Sequence, residues 1–187
     1  IHNAGALFNE RRTAPSGVEL TTAVQVVAPF LLTALLLDRL QSTGDSRVIT
    51  MSSGGMYAVG LTVDHLEMDE QEYRGTEQYA RAKRAQVTLN EMWAERVDAS
   101  EVVFHALHPG WADTPGVETA LPGFYRLTKR FLRSPDEGAD TAVWLANFGF
   151  SVGLTGNAIG LDTYGQQLWE WLSQHPSIDL SLVDRQQ

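Results

Sequence analysis

Two short apolar runs rich in β-branched residues, Arg47-Val-Ile-Thr-Met51 and Val102 to Leu107, read as strands, and a long stretch of helical periodicity separates them. From Thr76 to Val97, Ala82, Ala85, Leu89, Met92 and Trp93 recur on one face, while Arg81, Arg84, Thr88, Glu91 and Glu95 lie off it. The alternation continues outward. Ile1 to Gly5 reads as the tail of a strand entering a glycine turn, and Val18 to about Leu40 as a helix stopped by Ser42-Thr-Gly44-Asp45. Pro135 to Phe148 opens with acids in its first turn, a good helix start, and Gly156 to Asp162 reads as a last strand. Helices alternating with short apolar strands point to an α/β fold with a parallel sheet. Asn9 to Gly17 and Gly54 to Gly75 read as loops, the second with a turn near Val63 to Met68, and Pro115 to Arg133 as a broken helical segment.

The 187 residues suit a single domain with a core of independent size. A net charge of −9 argues against a nucleic-acid groove, which needs a basic surface. The absence of cysteine removes disulfides, thiolate nucleophiles and Cys-ligated zinc, and suggests a reducing, cytoplasmic compartment. Val26 to Leu37 is the most apolar stretch; it is about half a membrane span, contains Pro29, and reads as a core helix.

Both strands end at chemically useful residues. The first stops at Ser52-Ser53-Gly54-Gly55, the second at His108-Pro109-Gly110, and between them Tyr79 and Lys83 stand one helical turn apart. An ammonium at that distance is expected to stabilise phenolate and make Tyr79 usable in acid–base work near neutrality, where a free phenol is a poor base. The Tyr-x-x-x-Lys spacing is not specific by itself. Both lysines of the chain lie four residues after a tyrosine, the second pair being Tyr125/Lys129 in the broken segment, where a surface or lid helix with a solvated lysine is expected. Order along the chain separates the pairs. Ser53 does not fit a hydrolase elbow, because Met51 stands where that turn needs glycine. His105 and His108 project to opposite faces of one strand, so no metal site is expected.

With Asn3-Ala4-Gly5, Ser53, Tyr79, Lys83 and Pro109-Gly110-Trp-Ala112-Asp-Thr114 in this order, the chain resembles the C-terminal part of a short-chain dehydrogenase/reductase. The wording of Ser52 to Met56, His108 to Val117, Leu121 to Phe124 and Gly138 to Thr141 is similar to the branch of dehydrogenase/reductase family member 12. The resemblance implies a Rossmann-like, doubly wound parallel sheet with helices on both faces, lacking its first βαβ part, and an NAD- or NADP-dependent oxidoreductase acting on an alcohol or carbonyl. It implies Tyr79 as the acid/base, Ser53 on the substrate oxygen, and Lys83 lowering the Tyr79 pKa and holding the ribose hydroxyls. Asn3, Ala4, Gly5, Pro109, Gly110, Ala112 and Thr114 would lie along the cofactor. It also implies a substrate lid over 115–134 and leaves 163–187, with Trp169 and Trp171, as a tail.

Two departures from the family pattern stand out. Its catalytic asparagine falls on Gln25; that residue is thought to act through its main-chain carbonyl, and Pro29, four residues later, has no N–H to occupy it. The Gly-rich phosphate turn is missing, with no G-x-G-x-x-G anywhere, so the chain is expected to be N-terminally truncated and to bind nicotinamide cofactors weakly alone. These departures favour a rival reading, a binding or scaffold relative without turnover or a non-functional fragment; Ser53, Tyr79 and Lys83 oppose it. Leu121, Phe124, Tyr125, Phe131 and Leu132 with Arg126, Lys129, Arg130 and Arg133 form a basic amphipathic stretch that suggests a lipophilic substrate or peripheral membrane contact. A homo-oligomer through the Thr76–Val97 helix is a further expectation.

Overall fold

The computed structural model describes residues 1–60, 62–148 and 161–174. Strand β1 (Ser46–Met51) and strand β2 (Val102–Leu107) pair in parallel, with Ser46 opposite Val102 and Met51 opposite Leu107. On the other edge of β1, the His2 N–H donates to the Ile49 carbonyl at 2.7 Å and the Met51 N–H to the His2 carbonyl at 3.0 Å, a parallel bridge with Thr50. Three parallel segments thus lie side by side, as the strand–helix–strand pattern predicts.

Helix α1 (Leu20–Thr43) begins at Glu19, whose carboxylate accepts the Thr22 N–H at 2.9 Å. It runs as a π turn over Ala23–Val27, where the Ala28 N–H reaches back five residues to the Ala23 carbonyl. The longer reach stands just before Pro29, which has no N–H to continue an α ladder. With a mean hydropathy of 2.0 over an 18-residue window, this helix is long and apolar enough to cross a membrane, a longer apolar element than the sequence reading allowed. Its packing is that of a core helix: Val26, Val27, Phe30, Ala34 and Leu37 are buried in one cluster with Val48 of β1.

Helix α2 (Gly75–Arg96) lies across the same face. The predicted stripe Ala82, Ala85, Leu89, Met92 and Trp93 is buried, but so is Thr88 at 2% exposure, because β1, β2 and α1 surround the helix. Gly75 is required at its start: a Cβ there would sit 1.9 Å from the Phe8 carbonyl oxygen, a backbone contact that cannot yield. Gln78, fully buried, fixes the long loop before α2 by accepting the Met68 N–H at 2.8 Å and donating to the Leu66 carbonyl and the Thr22 hydroxyl, both at 2.9 Å.

The segment after β2 forms two short helices, α3 (Pro115–Ala120) and α4 (Pro122–Thr128), and then α5 (Pro135–Phe148). α5 covers the opposite face of the sheet, where Ala142 packs with Ile49 and Leu107. The parallel strands therefore carry helices on both faces, the Rossmann-like arrangement. Helix α6 (Leu161–Gln174) corrects the reading of this region: Leu161 and Asp162 are helical, not strand, and Gly156 to Gly160 lie outside the described residues. Trp169 belongs to the core. Its ring meets Phe30 and Trp93 edge-on, each at 4.9 Å, flanked by the fully buried Leu168 and Leu172. Trp93→Ala would remove the shared ring of this cluster at a cost of about 3–5 kcal/mol.

Candidate active site

A cleft of about 840 Å³ opens at the C-terminal ends of β1 and β2, the end where parallel α/β sheets bind ligands. Ser52 and Ser53 follow β1, His108 to Gly110 follow β2, and α2 passes beneath to present Tyr79. Gly5, Ala6 and Leu7 border the cleft on the side of the His2 segment, and Trp111, Ala112, Thr114, Val117 and Leu121 on the side of α3. Of the predicted residues, Gly5, Ser53, Tyr79, Pro109, Gly110, Ala112 and Thr114 therefore converge on one space.

Ser53 ends β1 in extended backbone, and its hydroxyl accepts the Gly55 N–H at 3.2 Å. It lies close enough to the Tyr79 phenol to act on its pKa. Burial raises the Tyr79 pKa above its ordinary value, and the Ser53 hydroxyl offsets this only in part. Lys83 does not produce the expected lowering. Its side chain is 4% exposed; Nζ donates to the Met51 carbonyl at 2.6 Å and lies 5.5 Å from the centre of the Tyr79 ring. Burial lowers the Lys83 pKa to about 8. Each group thus disfavours its own charged form, where a strongly coupled phenolate–ammonium pair would shift both in the opposite sense. Tyr79 is a protonated phenol at neutral pH, a proton donor.

Lys83 also fixes the geometry. Its ammonium holds the carbonyl of Met51, while its own carbonyl accepts the Ser52 hydroxyl at 3.2 Å, so α2 is bonded twice to the end of β1. Gly110 adopts φ +80°, a left-handed conformation that bends the chain after β2 along the cleft wall. Thr114 caps α3, its hydroxyl accepting the Val117 N–H at 3.4 Å.

Gln25 lies apart. Its side chain is fully buried, Nε2 donates to the Ala6 carbonyl at 3.1 Å, and Oε1 has no partner. It borders a separate cavity of about 20 Å³ shared with His2, Thr33, Thr50, Gln86 and Asn90. It supports the cleft through the Ala6 backbone and does not face it. Asn3 and Ala4 are exposed and do not line the cleft.

Two residues here have contacts that the sequence reading did not assign. His108 borders the cleft and accepts the Gly54 N–H on Nδ1 at 3.3 Å, which joins the two strand ends; burial lowers its pKa and keeps the ring neutral. Asp113 accepts the Tyr125 hydroxyl at 2.8 Å. Among the described residues, no three His, Asp or Glu side chains group as metal ligands.

No family model matches the chain. It is 43% identical over 146 residues to dehydrogenase/reductase SDR family member 12 of Homo sapiens, which covers 78% of this chain and 45% of that protein. It is 32% identical to retinol dehydrogenase 13 of Homo sapiens, over 78% of this chain and 46% of that one. The crystal structure of an uncharacterised protein from Mycobacterium paratuberculosis superposes with a TM-score of 0.59 over 78% of this chain and 48% of the other, at 24% identity, a likeness of fold. The chain spans under half the length of the curated relatives it matches. With the cleft at the strand ends, the chain is similar to short-chain dehydrogenases/reductases over the part of their length that it spans.

Proposed function

We propose that the protein interconverts a carbonyl and an alcohol with NAD or NADP, and that Tyr79 is its acid/base. The observation that carries this reading is that Ser53 and Tyr79 line one cleft whose other walls include Gly5 to Leu7, Pro109 to Ala112 and Thr114. The residues fit the nicotinamide end of such a cofactor. Gly110 with its positive φ, Pro109, Ala112 and the Thr114 hydroxyl form a wall facing Tyr79, while no G-x-G-x-x-G turn for the pyrophosphate occurs in the sequence. When bound, the cofactor supplies or accepts a hydride.

The chain's own residues handle the proton. A carbonyl oxygen within reach of Ser53 and Tyr79 accepts a hydrogen bond from the serine hydroxyl, and Tyr79 gives it a proton as negative charge develops there. Because burial holds Tyr79 protonated, reduction is the direction served at neutral pH; oxidation needs phenolate and gains as pH rises toward the Tyr79 pKa. Lys83, bonded to Met51, keeps Tyr79 in register with Ser53, and its partial desolvation makes its proton easier to release. By family likeness it would also hold the ribose hydroxyls.

Residues 115–134 are proposed as the substrate lid, with Val117, Ala120 and Leu121 forming an apolar wall that suits a lipophilic substrate. Leu127 and Phe131, 82% and 86% exposed, stand beside exposed Arg126, Lys129 and Arg130, an arrangement that fits contact with an anionic lipid surface. In flotation of the full-length protein with anionic vesicles, Leu127→Asp/Phe131→Asp is expected to abolish the contact; equal flotation with and without the substitutions contradicts it. For the reaction, NADH and NADPH consumption by the full-length protein against ketones and aldehydes of graded size is the test. Oxidation of either cofactor that depends on a carbonyl supports the reading. Cofactor binding without consumption across the panel would favour the rival, a binding relative without turnover.

A further inference from the structure

The helix that forms the apolar wall of the cleft, α3, is six residues long, too short to hold its position by itself. Its N-cap bond from Thr114, at 3.4 Å, is long. What places it lies outside it. At the base of the segment, the Asp113 N–H donates to the Arg133 carbonyl at 2.7 Å and the Arg133 N–H to the Trp111 carbonyl at 2.8 Å, closing residues 111–133 into one loop. Inside that loop, Tyr125 of α4 turns back under α3. Its side chain is buried, 8% exposed, and its hydroxyl donates to Asp113 Oδ1 at 2.8 Å. The Phe124 ring packs on Trp111 with centroids 4.5 Å apart, and the Lys129 ammonium lies 5.1 Å from the centre of the Tyr125 ring.

Asp113 stands between Ala112 and Thr114, both on the cleft wall. We propose that Tyr125 and Asp113 are positioning residues: their charge-assisted bond makes the lid and the Ala112–Thr114 wall move as one body and so sets how tightly the cleft grips its substrate. The proposal rests on the reading of residues 115–134 as a lid over a carbonyl-reducing site. A phenylalanine would fill the same buried volume and still receive the lysine, so packing alone does not call for the hydroxyl. The bond has to break whenever the lid swings from the wall, which makes it the natural element to set the closed population.

Tyr125→Phe in the full-length protein removes the donor and keeps the ring. Hydrogen exchange of amides 115–128 is expected to quicken about tenfold, as for the loss of one charge-assisted bond, with exchange in α2 unchanged. KM for carbonyl substrates is expected to rise about five- to tenfold while kcat stays within about twofold, the split expected when binding and not chemistry is impaired. Asp113→Asn, which still accepts at Oδ1 but without the charge, should fall between wild type and Tyr125→Phe, whereas Asp113→Ala should match Tyr125→Phe, and the double variant should be no worse than either. Unchanged exchange over 115–128 in Tyr125→Phe, or a fall in kcat at constant KM, overturns the proposal. The exchange measurement needs no turnover, so it decides even if the protein reduces no carbonyl.

Discussion

Tyr79/Lys83 and Tyr125/Lys129 share one spacing and even one local geometry, each lysine ammonium lying over its tyrosine ring, at 5.5 Å and 5.1 Å. Their surroundings differ in every other respect. Lys83 is buried, bonded to the Met51 carbonyl, and its pKa falls to about 8; Lys129 is exposed, and its closeness to Tyr125 and then to Asp113 raises its pKa. Tyr79 faces a cleft that Ser53 also lines, while Tyr125 is turned inward onto a carboxylate. A helical turn brings a phenol and an ammonium together, but the strand ends around them decide whether the phenol meets a substrate or a neighbouring loop.

The largest effect that separates the pairs should come from the lysines. Lys83→Met in the full-length protein is expected to reduce kcat/KM by about 10²-fold or more, since it frees Met51 and removes the charge beside Tyr79. Lys129→Met should leave kcat/KM within about twofold. Equal losses in the two variants, measured as cofactor oxidation, would erase the distinction.

The same substitution should act oppositely on stability. A lysine whose folded pKa is about 8 against 10.5 unfolded is charged in both states below about pH 8, where its buried charge costs about 3 kcal/mol. Between pH 8 and 10.5 the unfolded chain binds the extra proton, so this penalty is relieved as pH rises. Lys83→Met is therefore expected to be more stable than wild type at pH 7 by about 2 kcal/mol, after the lost bond to Met51, with the gap closing toward pH 10. Denaturant midpoints at the two pH values check this; a gap that widens with pH contradicts it. Lys129→Met should show no such trend. The smallest effect is Tyr125→Phe, which should loosen amides 115–128 and raise KM without touching the proton transfer.

The convergence of Ser53, Tyr79 and Pro109-Gly110 was legible because β1, α2 and β2 are each local patterns, and their order alone brings these residues to one sheet edge. It misjudged what depends on contacts between distant segments. The Tyr79 pKa moves upward because burial outweighs the Ser53 hydroxyl, while the Lys83 ammonium is engaged by the Met51 carbonyl. The Gln25 side chain turns to the Ala6 carbonyl, a contact that the spacing to Pro29 does not reveal. The Asp113–Tyr125 bond joins residues with no characteristic spacing. Trp169, read as part of a tail, fills the gap between Phe30 and Trp93, three segments that only the folded chain brings together.

The central claim is that one tyrosine of the two does the chemistry. Single-turnover reduction of a carbonyl substrate by the full-length protein, saturated with cofactor, measures it directly in Tyr79→Phe and Tyr125→Phe side by side. The expected result is a loss of about 10³-fold or more for Tyr79→Phe and a rate within about twofold of wild type for Tyr125→Phe at saturating substrate. Comparable rates in the two variants, or a greater loss in Tyr125→Phe, would contradict the account.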